Sequence, residues 1–200
     1  ILSVWGTDIY DFPRNGLLQK MIIKYNFKKA DYIFSNSIDM AREANLYTNK
    51  KVYITYFGVD TNRFKPIDEA KDQAYFTFGI VKSLEKKYGI KYLIEAYDKL
   101  YTKYQGAYKG KKLRLLIGGS GQEEAALKDQ VSVFPSLREG FGVSAIESQA
   151  CQVPVIITRV GGHPESVDEG KTGLVVESKS VQGLFEAMDK LMTDDQLRID

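Results

Sequence analysis

Short and nearly continuous apolar runs recur along the chain and alternate with stretches of helical periodicity. Few polar positions interrupt the runs, which is typical of strands buried on both faces, as in parallel sheets. We predict strands over 31–36, 51–58, 74–81, 112–119, 131–136, 153–158 and 173–176.

Two longer stretches carry apolar residues at the spacing of one helix face. They cover 90–104 and 181–192, and Ser180 stands where the N-cap of the second is expected. A third helix is predicted over 38–44, after Ser37 as its cap. Strands that alternate with helices predict an α/β fold built from doubly wound, Rossmann-like units.

A break in this pattern divides the chain. Strand signals stop across 57–73, where turn-forming and charged residues gather, and a new strand begins at Ala74. We therefore predict two α/β lobes, residues 1–65 and 66–200, with a cleft between them. Ligands of open α/β sheets bind beyond the carboxyl ends of the strands, so the cleft is the expected site.

Composition is that of an ordinary globular protein. Apolar residues make up 44% of the 200 residues and charged residues 27%. No apolar run reaches the roughly 20 residues that span a bilayer, and the opening residues predict no signal peptide. The single cysteine, Cys151, excludes an internal disulfide and a cysteine zinc cluster. We expect it to be a small buried hydrophobe rather than a nucleophile.

Positive charge is concentrated near the start of the sequence. Residues 1–65 contain ten Lys and Arg against six Asp and Glu, although the whole chain is only +2. A basic segment suits peripheral contact with an anionic membrane surface. An ordinary solvated surface explains the charge more simply. No nucleic-acid motif is present, and no nucleic-acid partner is expected.

The least ordinary stretch is LREGFGVSAIESQACQVPVI, residues 137–156. Gly140 and Gly142 allow the backbone to approach a ligand closely, and a helix is predicted to begin near Gly142. The first amides of that helix, those of Val143 and Ser144, have no intrahelical acceptor. They also lie at the positive end of the helix dipole, which suits a phosphate.

Two glutamates flank this predicted helix start. Glu147 lies one turn beyond Val143 on the same face, where its carboxylate can accept two hydrogen bonds from a vicinal diol such as a ribose. Glu139 precedes the helix, on the side where a group beyond the phosphates would lie. The order fits a nucleotide-sugar, although two solvated surface acids would show the same spacing.

Other loops after strands are basic or rich in glycine. Lys82, Lys86 and Lys87 lie between a strand and a helix, where lysines can neutralise a departing diphosphate, although a solvated surface is preferred for Lys86. The stretch 115–127 resembles a phosphate loop but lacks the G-x-G-x-x-G and Walker patterns, so a tight turn fits equally well. The stretch 159–176 supplies a further glycine loop.

Five motifs, in this order, resemble those of the retaining glycosyltransferases of the GT-B, family-4 type. They read GVDTNRFKP, GIVKSL…KYGIKYLIEA, LIGGSG, FPSLREGFGVSAIESQACQVPVI and GGHPESVDEGKTGLVV. Glu139 and Glu147 match the E-x7-E pair of that family, and SVWGTDIYDFP and ADYIFSNS resemble the later part of its acceptor-side lobe. The resemblance implies two Rossmann-like lobes, an incomplete acceptor-side lobe over 1–65 and a donor-binding lobe over 66–200.

The resemblance also implies a role for each donor-side residue. Glu147 would bind the ribose hydroxyls, and Glu139 would lie against the donor sugar near the reacting carbon. The amides from Phe141 to Ser144 would bind sugar hydroxyls and diphosphate, and Lys82 and Lys87 would bind the diphosphate.

On the acceptor side, the resemblance implies that Gly6 and Asp8 face the cleft. It also implies a retaining reaction in which an oxygen of the leaving diphosphate takes the proton of the acceptor. No metal and no cofactor other than the nucleotide-sugar substrate is expected.

Several positions depart from the family pattern. Ile80 replaces an arginine, and Gln152 replaces a common glycine. The opening portion of the acceptor-side lobe has no counterpart. The family also has further elements where Gln130 here runs directly into Val131. Either this is a true deletion, which should disrupt the fold, or residues are absent from the sequence between these two, and we predict the second.

Two remaining residues attract attention. His163 is the only histidine and precedes Pro164, which is favoured at the first position of a helix, so a loop or cap role fits better than a general base. Trp5 fits either the core or the lining of an acceptor channel, and the sequence does not separate these.

The expected activity is that of a retaining, hexosyltransferase-type enzyme of surface polysaccharide biosynthesis. It would move a sugar from a UDP- or GDP-linked donor to a saccharide or lipid-linked acceptor. The expected location is the cytoplasm, with peripheral contact at the inner face of the membrane. The alternatives are a nucleotide-sugar epimerase or sugar phosphorylase of GT-B shape, and a nucleotide-binding fragment without catalysis.

Overall fold

Two parallel sheets form the framework of the protein in a computed structural model that describes residues 1–66, 72–119 and 130–199. A three-stranded sheet has the order β1-β2-β3, and a six-stranded sheet has the order β5-β6-β4-β7-β8-β9. Only the short β5 runs antiparallel to its neighbour β6. The strands are β1 Leu2–Val4, β2 Ile33–Ser35, β3 Val52–Ile54, β4 Tyr75–Val81, β5 Ala107–Tyr108, β6 Lys111–Gly118, β7 Val131–Phe134, β8 Val155–Thr158 and β9 Gly173–Val176.

Helices connect these strands and cover the sheets. They are α1 Thr7–Tyr10, α2 Leu17–Lys29, α3 Ile38–Ala44, α4 Ile90–Tyr104, α5 Val143–Ala150, α6 Val181–Thr193 and α7 Asp195–Ile199, with short 3-10 helices at Phe12–Arg14, Lys86–Tyr88 and His163–Ser166. We call β1–β3 with α1–α3 the first lobe and β4–β9 with α4–α7 the second lobe. This is the expected α/β fold with Rossmann-like units.

The second lobe holds the larger core. β4 lies at the centre of its sheet, with Phe78 paired to Leu115 of β6 on one side and to Val131 of β7 on the other. Leu93 and Leu100 of α4 and Leu184 of α6 are buried against this sheet. The predicted helix 90–104 matches α4 at both ends, and the prediction for 181–192 misses only the last residue of α6.

Side-chain caps fix two helix starts, as the sequence predicts. The Ser37 hydroxyl accepts a hydrogen bond from the Met40 amide at 3.1 Å, at the start of α3. The Ser180 hydroxyl accepts one from the Gly183 amide at 2.9 Å, at the start of α6. Each cap satisfies an amide that has no partner within its own helix.

Three features of the first lobe were not predicted. β1 has only three residues, and α2 has no single apolar face, because Ile23 and Phe27 are buried while Leu18 and Met21 are exposed. The predicted strand 51–58 ends early, at Ile54, because the aromatic residues that follow leave the sheet and pack elsewhere.

The departures from the family pattern also have structural counterparts. Ile80 is buried in the core of the second lobe, so its side chain supplies no polar group to the cleft. Gln152 has a φ of 55°, in the left-handed region that favours glycine. Cys151 is buried with Phe64 and Val153, which confirms it as a small core residue.

The predicted boundary at 65/66 and the predicted gap at 130/131 stay predictions. Residues 67–71, beside the first, lie outside the described residues. Residues 120–129, which include most of the glycine turn at 115–127, do so as well. Gln130 is described, and its amide donates to the Thr77 carbonyl at 2.9 Å as the chain enters β7.

Candidate functional site

A glycine fixes the start of α5. Gly142 is its N-cap and has a φ of 90°, a conformation that other residues adopt only with strain. A Cβ at this position would collide with the His163 ring, with Nε2 only 2.9 Å away. The helix therefore begins where the sequence predicts, and a glycine is required there for two reasons.

The amino end of α5 offers free donors. The first hydrogen bond within this helix start runs from the Ala145 amide to the Gly142 carbonyl, at 2.9 Å. The amides of Val143 and Ser144 precede it and have no intrahelical acceptor. Both residues are half-buried, so a ligand can reach them. The geometry is that of an anion site at a helix N-terminus.

Glu139 and Lys82 form an ion pair next to this helix start. The Lys82 ammonium lies 3.0 Å from Oε2 of Glu139, and each side chain is only 15% exposed. The Ser136 hydroxyl also donates to Oε2 of Glu139, at 3.3 Å. The loop before α5 thus brings together the predicted sugar-side acid and the predicted diphosphate lysine.

Glu147 lies in the same electrostatic neighbourhood. Burial raises the pKa of its carboxyl, while the positive charges of Lys82 and Arg63 lower it. Lys82 is thus the ion-pair partner of Glu139, and its charge also contributes to the electrostatic environment of Glu147. That arrangement differs from two independent solvated acids.

The loop between β4 and α4 packs against the loop before α5. The Leu137 amide donates to the Lys87 carbonyl at 2.7 Å. Gly89, with a φ of 64°, lies so close to the Pro135 carbonyl that a Cβ would not fit. The ammonium groups of Lys82 and Lys87 lie 4.9 and 5.0 Å from the centroid of the Tyr88 ring.

Lys87, in the same loop as Lys82, is only partly available to a ligand. Its ammonium pairs with Glu85 at 3.1 Å, and its side chain is 42% exposed. Its pKa is raised by the hydrogen bond to Glu85. Lys82 is thus the better-enclosed cation, and Lys87 must leave an exposed ion pair to reach a ligand.

His163 lies at the base of the site, a position that the sequence did not predict. Its ring is 1% exposed and packs beneath Gly142, and Nδ1 has no hydrogen-bond partner among the described residues. Burial lowers its pKa to about 4, against an upward effect from Glu139. The imidazole is therefore neutral at physiological pH and packs beneath the start of α5. His163 also begins the short 3-10 helix His163–Ser166, which agrees with the expected loop or cap role.

The depressed pKa of His163 predicts a pH dependence of stability. Between its ordinary pKa of 6.5 and its folded pKa of about 4, the unfolded chain binds the proton more readily. Stability therefore falls as the pH drops through this window, by about 1 kcal/mol from pH 7.5 to 5.5. Urea unfolding at both pH values should show this loss, and the His163→Leu variant should show a loss smaller by that amount. An equal loss in both proteins would contradict the assignment.

The first-lobe residues that were predicted to face the cleft have defined partners. The Asp8 carboxylate accepts hydrogen bonds from the Gly6 amide at 2.7 Å and from the Trp5 amide at 3.1 Å. Asp8 thus holds the turn between β1 and α1. Trp5 is not a core residue: its side chain is 64% exposed and packs edge-to-face on Phe57.

The lobes meet around the loop that carries Glu139. The carbonyl of Trp5 lies 3.0 Å from where a Cβ of Gly140 would stand. Phe141 stacks on Tyr56 with ring centroids 5.2 Å apart. Arg138 forms an ion pair with Asp11 of the first lobe. The ion pair of Glu139 and Lys82 therefore lies beside the contact between the lobes.

Within 1–66, 72–119 and 130–199, no group of three or more His, Cys, Asp or Glu side chains is arranged to hold a metal ion. In the same ranges, no helix is both long and apolar enough to cross a membrane.

Sequence comparison finds relatives for most of the chain. The family described as "Glycosyl transferases group 1" matches residues 128–200, and that described as "Glycosyl transferase 4-like" matches 1–37. Over these ranges the chain is similar to glycosyl transferases. Its fold is GT-B, with two Rossmann-like units.

Individual relatives cover this chain to different extents. The capsular polysaccharide biosynthesis glycosyltransferase CapM of Staphylococcus aureus is 28% identical over 194 residues, which cover 78% of this chain and 50% of CapM. The D-inositol 3-phosphate glycosyltransferase of Corynebacterium jeikeium is 49% identical over 69 residues, 34% of this chain and 16% of its own length. The chain thus spans at most about half of either relative.

Solved structures share the fold at low sequence identity. Anabaena HepE in complex with UDP has a TM-score of 0.80 at 16% identity, covering 98% of this chain and 64% of HepE. The sucrose-phosphate synthase of Thermosynechococcus elongatus has a TM-score of 0.76 at 19% identity, covering 99% of this chain and 60% of its own. Identities this low establish the architecture alone.

Proposed function

We propose that this chain carries the donor site of a retaining glycosyltransferase, which moves a sugar from a nucleoside-diphosphate sugar to a saccharide or lipid-linked acceptor. The observation that carries the proposal is the enclosed ion pair of Lys82 and Glu139 beside the amino end of α5, the helix that also carries Glu147. A cation, two free amides and two acids then surround one position beside the contact between the lobes.

Each group has a task in this reaction. The amides of Val143 and Ser144 and the ammonium of Lys82 bind the diphosphate and stabilise the negative charge that grows as it leaves. The Glu139 carboxylate, 3.0 Å from Lys82, offsets the positive charge that develops on the sugar carbon. The acceptor proton passes to an oxygen of the leaving diphosphate, so no protein base is required.

The nucleoside end of the donor has a suitable neighbour. An apolar cavity of about 450 Å³ is lined by residues of α4, β6 and the loops beside them, including Leu84, Ile90, Ile117 and Leu137. We assign the base to this cavity and the ribose to Glu147. UDP is the first candidate, because the structural neighbour HepE is a UDP complex.

The acceptor is proposed from relatives rather than from the site. CapM is named for capsular polysaccharide biosynthesis, and the chain aligns with CapM over 194 residues. A growing surface polysaccharide, free or attached to a lipid, is therefore the proposed acceptor.

Incubation with labelled UDP-glucose and GDP-mannose tests the proposed reaction. Transfer that needs a saccharide or lipid-linked acceptor and retains the anomeric configuration supports it. Conversion of the donor without an acceptor would identify an epimerase, and dependence on free phosphate would identify a phosphorylase. Nucleotide binding without turnover would identify a nucleotide-binding fragment without catalysis. Each of these three results would contradict the proposal.

Peripheral membrane contact is the second part of the proposal. Helix α2 has four lysines and no acidic residue, and Leu17, Leu18 and Met21 are 66–82% exposed on it. An exposed apolar stripe flanked by lysines suits the interface of an anionic bilayer, where each lysine contributes about 1 kcal/mol.

Sedimentation with vesicles of phosphatidylglycerol and phosphatidylcholine tests this contact. We expect the Lys20→Gln/Lys24→Gln double variant to bind at least tenfold more weakly than the unchanged protein, since two lysines are lost. The control is Lys91→Gln/Lys190→Gln, which removes two exposed lysines from helices of the second lobe. An equal loss in both variants would show that total charge, and not α2, determines binding.

A further inference from the structure

One short segment of the second lobe connects the donor site to the first lobe. It comprises residues 161–166, and we call it the bridging segment. Gly162 is packed so tightly against Ser37 of the first lobe that a Cβ would lie 2.5 Å from the Ser37 hydroxyl. His163 of the same segment packs beneath Gly142, the N-cap of α5. A single rigid turn thus touches both the first lobe and the donor helix.

Glu165 extends this contact to a helix of the other lobe. Its Oε2 accepts a hydrogen bond from the Ile38 amide at 2.7 Å, and its Oε1 accepts one from the Asp39 amide at 2.9 Å. These residues are 127 and 126 positions away in the sequence. The partner amides are the first two of α3, which have no acceptor in their own helix.

The cap of α3 is therefore shared between the lobes. Ser37, which belongs to the first lobe, satisfies the amide of Met40. Glu165, which belongs to the second, satisfies the two amides before it. A carboxylate at a helix N-terminus gains both charge-assisted hydrogen bonds and the favourable helix dipole. Separation of the lobes would break both bonds and leave two amides without their partner.

Tyr56 lies in the electrostatic neighbourhood of the same carboxylate. Burial raises the pKa of its phenol, and the negative charge of Glu165 raises it further. Tyr56 also stacks on Phe141, which directly precedes the N-cap of α5. The surroundings of Glu165 are thus continuous with the loop that holds the donor site.

We propose that Glu165 is a positioning residue that holds the two lobes closed over the donor site by capping α3 across the cleft. The inference rests on the proposed glycosyltransferase function, since closure matters only if two substrates meet between the lobes. Glu165 itself does not touch the reacting atoms in this account. Its loss should shift the lobes toward an open arrangement and leave the nucleotide site of the second lobe intact.

Distance measurement between two spin labels tests the inference. The only natural cysteine is buried, so labels can be attached at Asn49→Cys in the first lobe and Asp98→Cys in the second, both exposed positions. In the Glu165→Gln variant, we expect a broader distance distribution with a longer mean than in the otherwise unchanged protein. The control Glu186→Gln removes an exposed carboxylate of the second lobe and should leave the distribution unchanged.

Calorimetric titration of UDP into the same proteins separates the two proposals. The expected result is that Glu165→Gln binds UDP within about threefold of the unchanged protein while its lobes open. An unchanged distance distribution in Glu165→Gln would overturn the role of Glu165, whatever the nucleotide affinity. Absence of UDP and GDP binding in the unchanged protein would instead overturn the donor site.

A Tyr56→Phe variant, which keeps the stacked ring, should open the lobes less than Glu165→Gln. An equal or larger opening would also contradict the role of Glu165.

Discussion

The Glu139→Gln variant should transfer sugar 10²- to 10³-fold more slowly than the unchanged protein, the size of effect that follows removal of one preorganised charged or polar group from a transition state. Glu139 lies 3.0 Å from Lys82 and is only 15% exposed, so its charge acts with little screening by solvent. Glutamine keeps the shape and the contact with Ser136 but removes the charge. Steady-state rates with saturating donor measure the effect.

Nucleotide affinity distinguishes this role from a structural one. Loss of the Glu139 charge leaves Lys82 without its anion, so UDP should bind as tightly as before or more tightly. The control Glu177→Gln changes an exposed acid that pairs with Arg159 on the same lobe and should transfer at the normal rate. If Glu139→Gln lost UDP binding and transfer in the same proportion, its assignment to the sugar would be wrong.

The Glu147→Ala variant should bind UDP about 10- to 100-fold more weakly. One hydrogen bond from a hydroxyl to a charged carboxylate contributes about 1.5–3 kcal/mol, so the net loss of even one of the two bonds accounts for this change. Glu147 is half-buried, so water replaces the lost hydrogen bonds only in part. Calorimetric titration measures the change.

A 2′,3′-dideoxy nucleotide makes this test specific to the ribose. If Glu147 binds the diol, the unchanged protein should bind the dideoxy nucleotide as weakly as Glu147→Ala binds UDP. The variant should then lose no further affinity when the dideoxy nucleotide replaces UDP. The control Glu95→Ala removes an exposed acid of α4. If the losses of affinity from the variant and from the dideoxy nucleotide were additive, Glu147 would not bind the ribose and would have only a general electrostatic role.

The elements of the second lobe could be predicted because their signals are local. A continuous apolar run such as 153–158 is sufficient for a strand buried on both faces, and β8 is indeed fully buried from Val155 to Thr158. The start of α5 was predictable for a similar reason, since glycines mark a turn and Gly142 adopts the left-handed conformation that begins this helix. The resemblance of the motifs then indicated a glycosyltransferase family, and sequence comparison matches glycosyl transferase families over residues 1–37 and 128–200.

The contacts that organise the site could not be predicted, because they join distant parts of the chain. Lys82 and Glu139 were predicted as separate ligand groups, and only the fold reveals that they neutralise each other. His163 looks like a loop residue beside Pro164, yet its burial beneath Gly142 depends on how two loops pack. Glu165 has no local signal at all, since its partners belong to the other lobe.

The first lobe shows where periodicity fails. Helix α2 has apolar residues on a buried face and on an exposed one, so its pattern has no single amphipathic direction. β1 is too short to produce a run. Such elements are recognised only from their partners, here the parallel pairing of Leu2 with Ile33.

A parallel titration of UDP and uridine, repeated with GDP and guanosine, tests the central claim most directly. The claim is that the amino end of α5 and Lys82 form a diphosphate site. It predicts that one diphosphate binds at least 100-fold more tightly than its nucleoside, and that Lys82→Met removes most of this difference. Equal affinities for nucleotide and nucleoside would contradict the account.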